Sequence, residues 1–203
     1  MEGRIIKALS GYYYVDTGEE LVTCRARGKF RLDGTSPLVG DRVRMDVSSD
    51  GTGSVREILL RRNYFIRPAV ANIDLMVMLA AAVNPVTDPF LIDRVSALAA
   101  HHSCDFLLCI NKADLNPEYA EKLQTLYEKA GYPCIAVSAI QEKGISQLKE
   151  ALSGPVISFS GPSGVGKSTL LNHILGREQF AHQAVSQHTG RGRNTTRHSE
   201  LVR

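Results

Sequence analysis

Residues 161–168 read Gly-Pro-Ser-Gly-Val-Gly-Lys-Ser, a match to the pattern G-x-x-x-x-G-K-[ST]. The apolar run Val156-Ile157-Ser158-Phe159 before it predicts a buried strand, and Thr169-Leu170-Leu171-Asn172-His173-Ile174-Leu175 after it has helical apolar spacing. A strand–loop–helix unit of this kind cradles phosphate. Gly161, Gly164 and Gly166 let the backbone wrap tightly, because glycine tolerates positive φ and carries no Cβ. The N–H groups so released form an anion nest at a helix N-terminus. Pro162, Ser163, Val165 and Thr169 complete the cradle. Lys167 is placed to reach β- and γ-phosphates and is a candidate catalytic group, and the Ser168 hydroxyl is placed to bind Mg²⁺.

Upstream, strands and helices alternate. Ile73-Asp74-Leu75-Met76-Val77-Met78-Leu79-Ala80 is nearly all apolar, as a strand buried on both faces requires. Asp88-Pro89 predicts a helix start, with Asp88 as N-cap and Pro89 in the first turn. Asp105-Phe106-Leu107-Leu108-Cys109-Ile110 is the next strand, Asn116-Pro117 caps a second helix ending near Gly131, and Cys134-Ile135-Ala136-Val137 is a third strand. A third helix is expected near Ile145 to Leu152. This alternation predicts a mainly parallel sheet in a three-layer α/β domain, whose ligands bind beyond the carboxyl ends of its strands.

Two further motifs fall at such ends. Asn111-Lys112-Ala113-Asp114 follows the second strand and Ser138-Ala139 the third. A carboxylate at Asp114 accepts two hydrogen bonds from guanine, from N1–H and the 2-amino group, a donor pair that adenine lacks. Asn111 is expected to contact N7 and brace the loop, and the Lys112 stem to cover the base plane. Ser138 and Ala139 are expected to place a backbone N–H near guanine O6. The base-reading motif precedes the phosphate loop in the chain. A sheet whose ends lie close together tolerates that permutation.

The first 68 residues read differently. Short apolar or alternating runs at 5–9, 12–15, 21–32, 40–47 and 53–59 are separated by turn signals, which predicts a small five-stranded barrel of OB type. In the third run Arg25, Arg27, Lys29 and Arg31 alternate with Cys24, Ala26, Phe30 and Leu32, so the cations share one face. With Arg42 and Arg44 on a strand taken as adjacent, and the tyrosines at 12 to 14, they are the candidate RNA contacts. The competing reading is a solvated strand face. Arg61-Arg62-Asn63-Tyr64-Phe65-Ile66-Arg67-Pro68 marks a seam, giving domains 1–68 and 69–203.

Composition narrows the remaining classes. The formal charge of +3 permits an RNA partner without requiring one. No apolar run is long enough for a bilayer, so no membrane partner is expected. Met1-Glu2-Gly3-Arg4 lacks the apolar core of a signal peptide, which gives a cytoplasmic expectation. Cys24, Cys104, Cys109 and Cys134 form no C-x-x-C pair and read as small buried residues.

Taken in sequence, the barrel, N-K-A-D, S-A, G-P-S-G-V-G-K-S and Gly190-Arg191-Gly192-Arg193-Asn194-Thr195-Thr196-Arg197-His198 resemble the family of ribosome small-subunit-dependent GTPases, circularly permuted GTPases of bacterial ribosome assembly. The resemblance covers essentially the whole chain. It implies a GTP- and GDP-binding, GTP-hydrolysing monomer that acts with the small ribosomal subunit and its rRNA late in maturation. It also implies a switch loop over 177–197, with Thr196, or else Thr195, as the second Mg²⁺ ligand. The family usually carries histidine where this chain has Asn194. Asn194 in that catalytic position orients a water but exchanges no proton near neutral pH. The family continues past residue 203 into a D-x-x-G segment and a small zinc domain, so zinc is expected only there. Two rivals stay open. The phosphate loop also looks like that of guanylate kinases, though a kinase leaves Asn111 and Asp114 unexplained. An RNA-binding module with a non-catalytic nucleotide site is the other.

Overall fold

A computed structural model describes residues 1–26, 28, 30 and 35–176. The chain divides between Ile73 and Asp74 into two compact units.

In the first unit, β1 (Glu2–Leu9), β2 (Tyr12–Asp16), β3 (Leu21–Ala26), β4 (Arg42–Val47) and β5 (Gly53–Ile58) close a barrel in the order β1-β2-β3-β5-β4. Alternation decides which side chains fill it: Ile5, Val15, Val22, Cys24, Val43, Met45 and Val55 are all buried. The five-stranded barrel is the expected one, with two differences. The third strand ends at Ala26 rather than Leu32, because Gly28 lies in a turn and buried Phe30 takes helical backbone. Of the cations assigned to that strand face, Arg25 is on β3, and Arg27, Lys29 and Arg31 lie outside the described residues. Nor is β4 the neighbour of β3: β5 runs between them, pairing Arg25 with Ser54 and Ser54 with Asp46. The cations at 25 and at 42 and 44 therefore form no single stripe.

After the barrel, β6 (Tyr64–Phe65) and β7 (Val70–Ala71) form a short antiparallel ribbon. The sequence marks this stretch only as the seam between two domains. A two-stranded ribbon is marginal alone, and this one is braced. The Asn63 side chain donates to Ile73 O at 2.8 Å and accepts from Ile73 N at 2.9 Å. Arg61 reaches both carboxylate oxygens of the fully buried Asp41, at 2.7 and 2.8 Å.

In the second unit the four strands β8 (Leu75–Ala81), β9 (Asp105–Asn111), β10 (Cys134–Ala136) and β11 (Ile157–Ser160) form a parallel sheet in the order β10-β9-β8-β11. Helix α1 (Pro89–His101) packs on β8 and β9, and α2 (Pro117–Lys129) on β9 and β10. The predicted caps are made: Asp88 accepts from Phe90 N at 3.0 Å and Asn116 from Tyr119 N at 3.2 Å. Helices α3 (Ile145–Ala151) and α4 (Lys167–Leu175) pack on each other. Leu148 and Leu170 are completely buried in the core beneath them, each contributing roughly 1.5–3 kcal/mol. All four cysteines are buried thiols outside any disulfide.

The order of strands fixes where a ligand goes. From β8 the chain steps outward through β9 and β10, then returns to the opposite side of β8 for β11. The carboxyl ends of β8 and β11 therefore flank a topological switch point, where loops diverge and leave a crevice.

Candidate nucleotide site

The loop from Gly161 to Gly166 leaves β11 at that switch point and leads into α4. Its glycines are demanded by position. A Cβ on Gly161 would lie 2.4 Å from the Leu79 carbonyl oxygen, and one on Gly166 would lie 2.4 Å from Asn111 Nδ2. Both have positive φ, 155° and 92°. Val165 is fully buried, so its side chain pins the loop to the core while its backbone stays in the cradle. No side chain caps the start of α4, which leaves its first N–H groups for an anion. Pro162, Ser163, Ser168 and Thr169 line the same half-buried stretch. Lys167 Nζ donates to Gly161 O at 3.4 Å, so the side chain folds back over the loop. Burial pushes its pKa below the usual lysine range. A bound phosphate offsets that cost with a charge-assisted hydrogen bond, so Lys167→Ala is expected to weaken GDP binding roughly tenfold or more in a fluorescence titration. An unchanged affinity would show the lysine to be structural.

Asn111 joins the phosphate loop to the base-reading loops. At 2% exposure, its Nδ2 donates to Val165 O at 2.9 Å and its Oδ1 accepts from Ala139 N at 3.3 Å. The side chain thus ties the phosphate loop to the Ser138-Ala139 loop. Lys112, at φ 60°, donates from Nζ to Gly164 O at 2.9 Å and to Asn84 O. Its stem therefore lies across from one loop to the other, and burial lowers its pKa. Ala113 N donates to Val137 O at 3.2 Å. Ser138 is buried and accepts from Gln141 N at 3.1 Å. Asp114 is half-buried, and its Oδ2 accepts from Gln141 Nε2 at 3.5 Å.

The structure brings Asn111, Lys112, Asp114, Ser138, Ala139 and the phosphate loop to one end of one sheet. Asn194, Thr195 and Thr196 lie outside the described residues. The loop after β8 was missed by sequence reasoning, although Asn84 accepts from Lys112 and Thr87 Oγ1 accepts from Ala81 N at 2.9 Å. Its signal was the Asn84-Pro85 turn dipeptide at a strand end. Gln141 carried no signal. Among the described residues, no group of three or more His, Cys, Asp or Glu side chains is placed to hold a metal ion, and no helix is long and apolar enough to cross a membrane.

A phosphate loop on the last described strand of the parallel sheet, seated beside that sheet's first, with N-K-A-D and S-A loops at the next strand ends, defines a circularly permuted P-loop GTPase. The solved structures agree. The crystal structure of YjeQ from Thermotoga maritima superposes with a TM-score of 0.70 at 35% identity, over 85% of this chain and 64% of that one. That of YloQ, described as a circularly permuted GTPase, gives 0.66 at 35% identity, over 85% of this chain and 63% of that one. The family model described as RsgA GTPase matches residues 58–203, and that of the RsgA N-terminal domain matches residues 2–55. The chain belongs to the RsgA GTPase family. Among curated relatives, the small ribosomal subunit biogenesis GTPase RsgA of Clostridium perfringens is 41% identical over all of this chain and 70% of its own length. Its namesake from Caldanaerobacter subterraneus is 38% identical over all of this chain and 69% of its own length.

Proposed function

We propose that this chain binds GTP and GDP, hydrolyses GTP, and does so as a maturation factor on the small ribosomal subunit. The observation that carries the nucleotide reading is the Asn111 side chain, bonded at once to Val165 O and Ala139 N, which makes the base-reading and phosphate-holding loops one site. The base is guanine, read by Asp114. The Ser168 hydroxyl, a hard oxygen donor at the start of α4, suits Mg²⁺, with Thr196 as its second protein ligand. Mg²⁺, when bound, neutralises phosphate charge. Lys167 stabilises charge on the transferred group, and Asn194 orients the attacking water. The subunit partnership rests on family membership and on the names of the curated relatives. A monomer acting in the cytoplasm fits this role. Turnover of GTP with and without isolated small subunits tests it. Stimulation by the subunit is expected, and equal slow turnover under both conditions would remove the partnership.

The barrel, within a domain spanning 1–68, serves as an RNA arm in this reading, and residues 69–203 as the GTPase domain. Arg25 carries the RNA contact best: its guanidinium lies 4.6 Å from the centre of the Tyr12 ring on the exposed β2–β3 face. Arg42 is also exposed. Arg44 brings less net charge, since Glu2 and Glu57 hold it at 2.8 and 3.0 Å. Arg25→Ala is therefore expected to flatten the salt dependence of subunit binding by about 0.7 log units per decade, and Arg44→Ala to leave it nearly unchanged. Equal slopes for wild type and Arg25→Ala would move the contact elsewhere. Arg27, Lys29 and Arg31 are the further candidates.

A further inference from the structure

We propose that Asn84, in the loop after β8, is a positioning residue of the nucleotide site. Its backbone carbonyl holds the Lys112 ammonium, so that the Lys112 stem is fixed as a wall for the base before a nucleotide arrives. The proposal deepens the guanine-nucleotide reading, on which it rests, and gives a role to a loop outside the three motifs.

Its starting point is a side chain tied at both ends. Lys112 follows the end of β9, and its Nζ donates to Gly164 O at 2.9 Å, after β11, and to Asn84 O, after β8. One side chain thus links three neighbouring strand ends, since β8 lies between β9 and β11. A free lysine stem has many rotamers, and ordering it when the base binds opposes binding. Two anchors on the ammonium place that cost in folding and leave the stem pre-organised. Without Asn84 the stem keeps one anchor, on the loop that wraps phosphate.

The backbone aims the Asn84 carbonyl. Asn84 has φ 41°, in the left-handed region that asparagine and glycine tolerate and β-branched residues do not. A return to negative φ would redirect the carbonyl. The loop is pinned on either side of this residue. Ala82 N donates to Asn111 O at 3.0 Å and Thr87 N to Ala81 O at 3.1 Å, and the buried Thr87 hydroxyl accepts from Ala81 N at 2.9 Å. The Tyr119 hydroxyl, on α2, donates to Thr87 O at 3.5 Å. The strap therefore hangs in part from Asn111, the residue that braces the two motif loops. Asn84 itself is exposed, so a replacement there changes the turn and removes no core packing.

The test uses the full chain and follows release of fluorescent GDP by stopped flow, with melting temperatures measured alongside. Asn84→Val is expected to speed release about fivefold, the effect of one loosened side chain. Asn84→Gly keeps the positive φ and the carbonyl, so it should recover most of that loss, with Asn84→Ala in between. Lys112→Met keeps an apolar stem and removes both anchors, so it should speed release at least as much as Asn84→Val. Adding Asn84→Val to Lys112→Met should change the rate by less than about twofold, because the carbonyl then has nothing to hold. Equal release from wild type and Asn84→Val would overturn the proposal. Release from Asn84→Gly as fast as from Asn84→Val would overturn it by assigning the effect to the asparagine amide. An undiminished effect of Asn84→Val in the Lys112→Met chain would overturn it by showing that the loop acts outside Lys112. Should Asn84→Val fail to fold, Asn84→Ala and Asn84→Gly decide, and equal release from those two overturns the strap. A wild-type chain that binds no GDP would remove the nucleotide reading and the strap together.

Discussion

GDP is expected to bind this chain on the order of 10⁴-fold more tightly than ADP. The expectation comes from Asp114, the half-buried carboxylate at the end of the β9 loop. Guanine offers it two donors, N1–H and the 2-amino group. Adenine offers none in that place and sets the lone pair of its N1 and a C2–H against a desolvated carboxylate. Asp114→Asn should lose GDP affinity and gain affinity for XDP, because an amide N–H donates to the oxygen that replaces the 2-amino group. Calorimetry with GDP, ADP and XDP on both proteins reads the exchange. Equal GDP and ADP affinity in the wild type would contradict the role of Asp114. A loss of GDP binding in Asp114→Asn with no gain for XDP would show that the residue supports the loop instead of reading the base.

Replacing Gly166 by alanine should weaken GDP binding on the order of 100-fold. Two costs coincide there. At φ 92° an alanine is strained, and its Cβ would lie 2.4 Å from Asn111 Nδ2. Relief comes only by moving Asn111, which breaks its bonds to Val165 and Ala139 and so separates the two halves of the site. Gly154→Ala is the control: its φ is 102°, but the added Cβ meets nothing within 4 Å. It should share the strain and keep its nucleotide affinity. Fluorescent GDP titrations on both variants distinguish loop strain from loss of the Asn111 brace, and equal affinities would mean that Asn111 braces nothing the nucleotide needs.

The nucleotide site was legible because its chemistry is local. Each motif sits at a strand end, and buried parallel strands such as Met76–Ala81 and Phe106–Asn111 announce themselves as apolar runs. Parallel strands also share direction, so once Asn111, Ser138 and Gly161 followed such runs they had to meet at one edge. The barrel was legible as a count of strands but not as an arrangement. Alternation shows which residues of a strand face out and says nothing of which strand lies beside it. That β5 comes between β3 and β4 is a tertiary fact, so Arg25 and Arg44 looked like neighbours in sequence and are not. The ribbon was illegible for a related reason. Asn63 holds it through bonds to Ile73, ten residues on, and Arg61 through Asp41, twenty residues back. The path of Lys112 to Asn84 likewise depends on which loop β8 brings alongside.

In the proposed reading, three loops separated in sequence form one guanine-nucleotide site with Asn111 as its brace. A crystal structure of the chain with GDP and Mg²⁺ tests it most directly. The Asp114 carboxylate is expected within hydrogen-bond distance of both N1 and the 2-amino group. The diphosphate should be wrapped by the backbone of residues 161–168, with the Asn111 bonds to Val165 and Ala139 intact. A nucleotide bound with its base away from Asp114, or with its phosphates outside that loop, would contradict the claim.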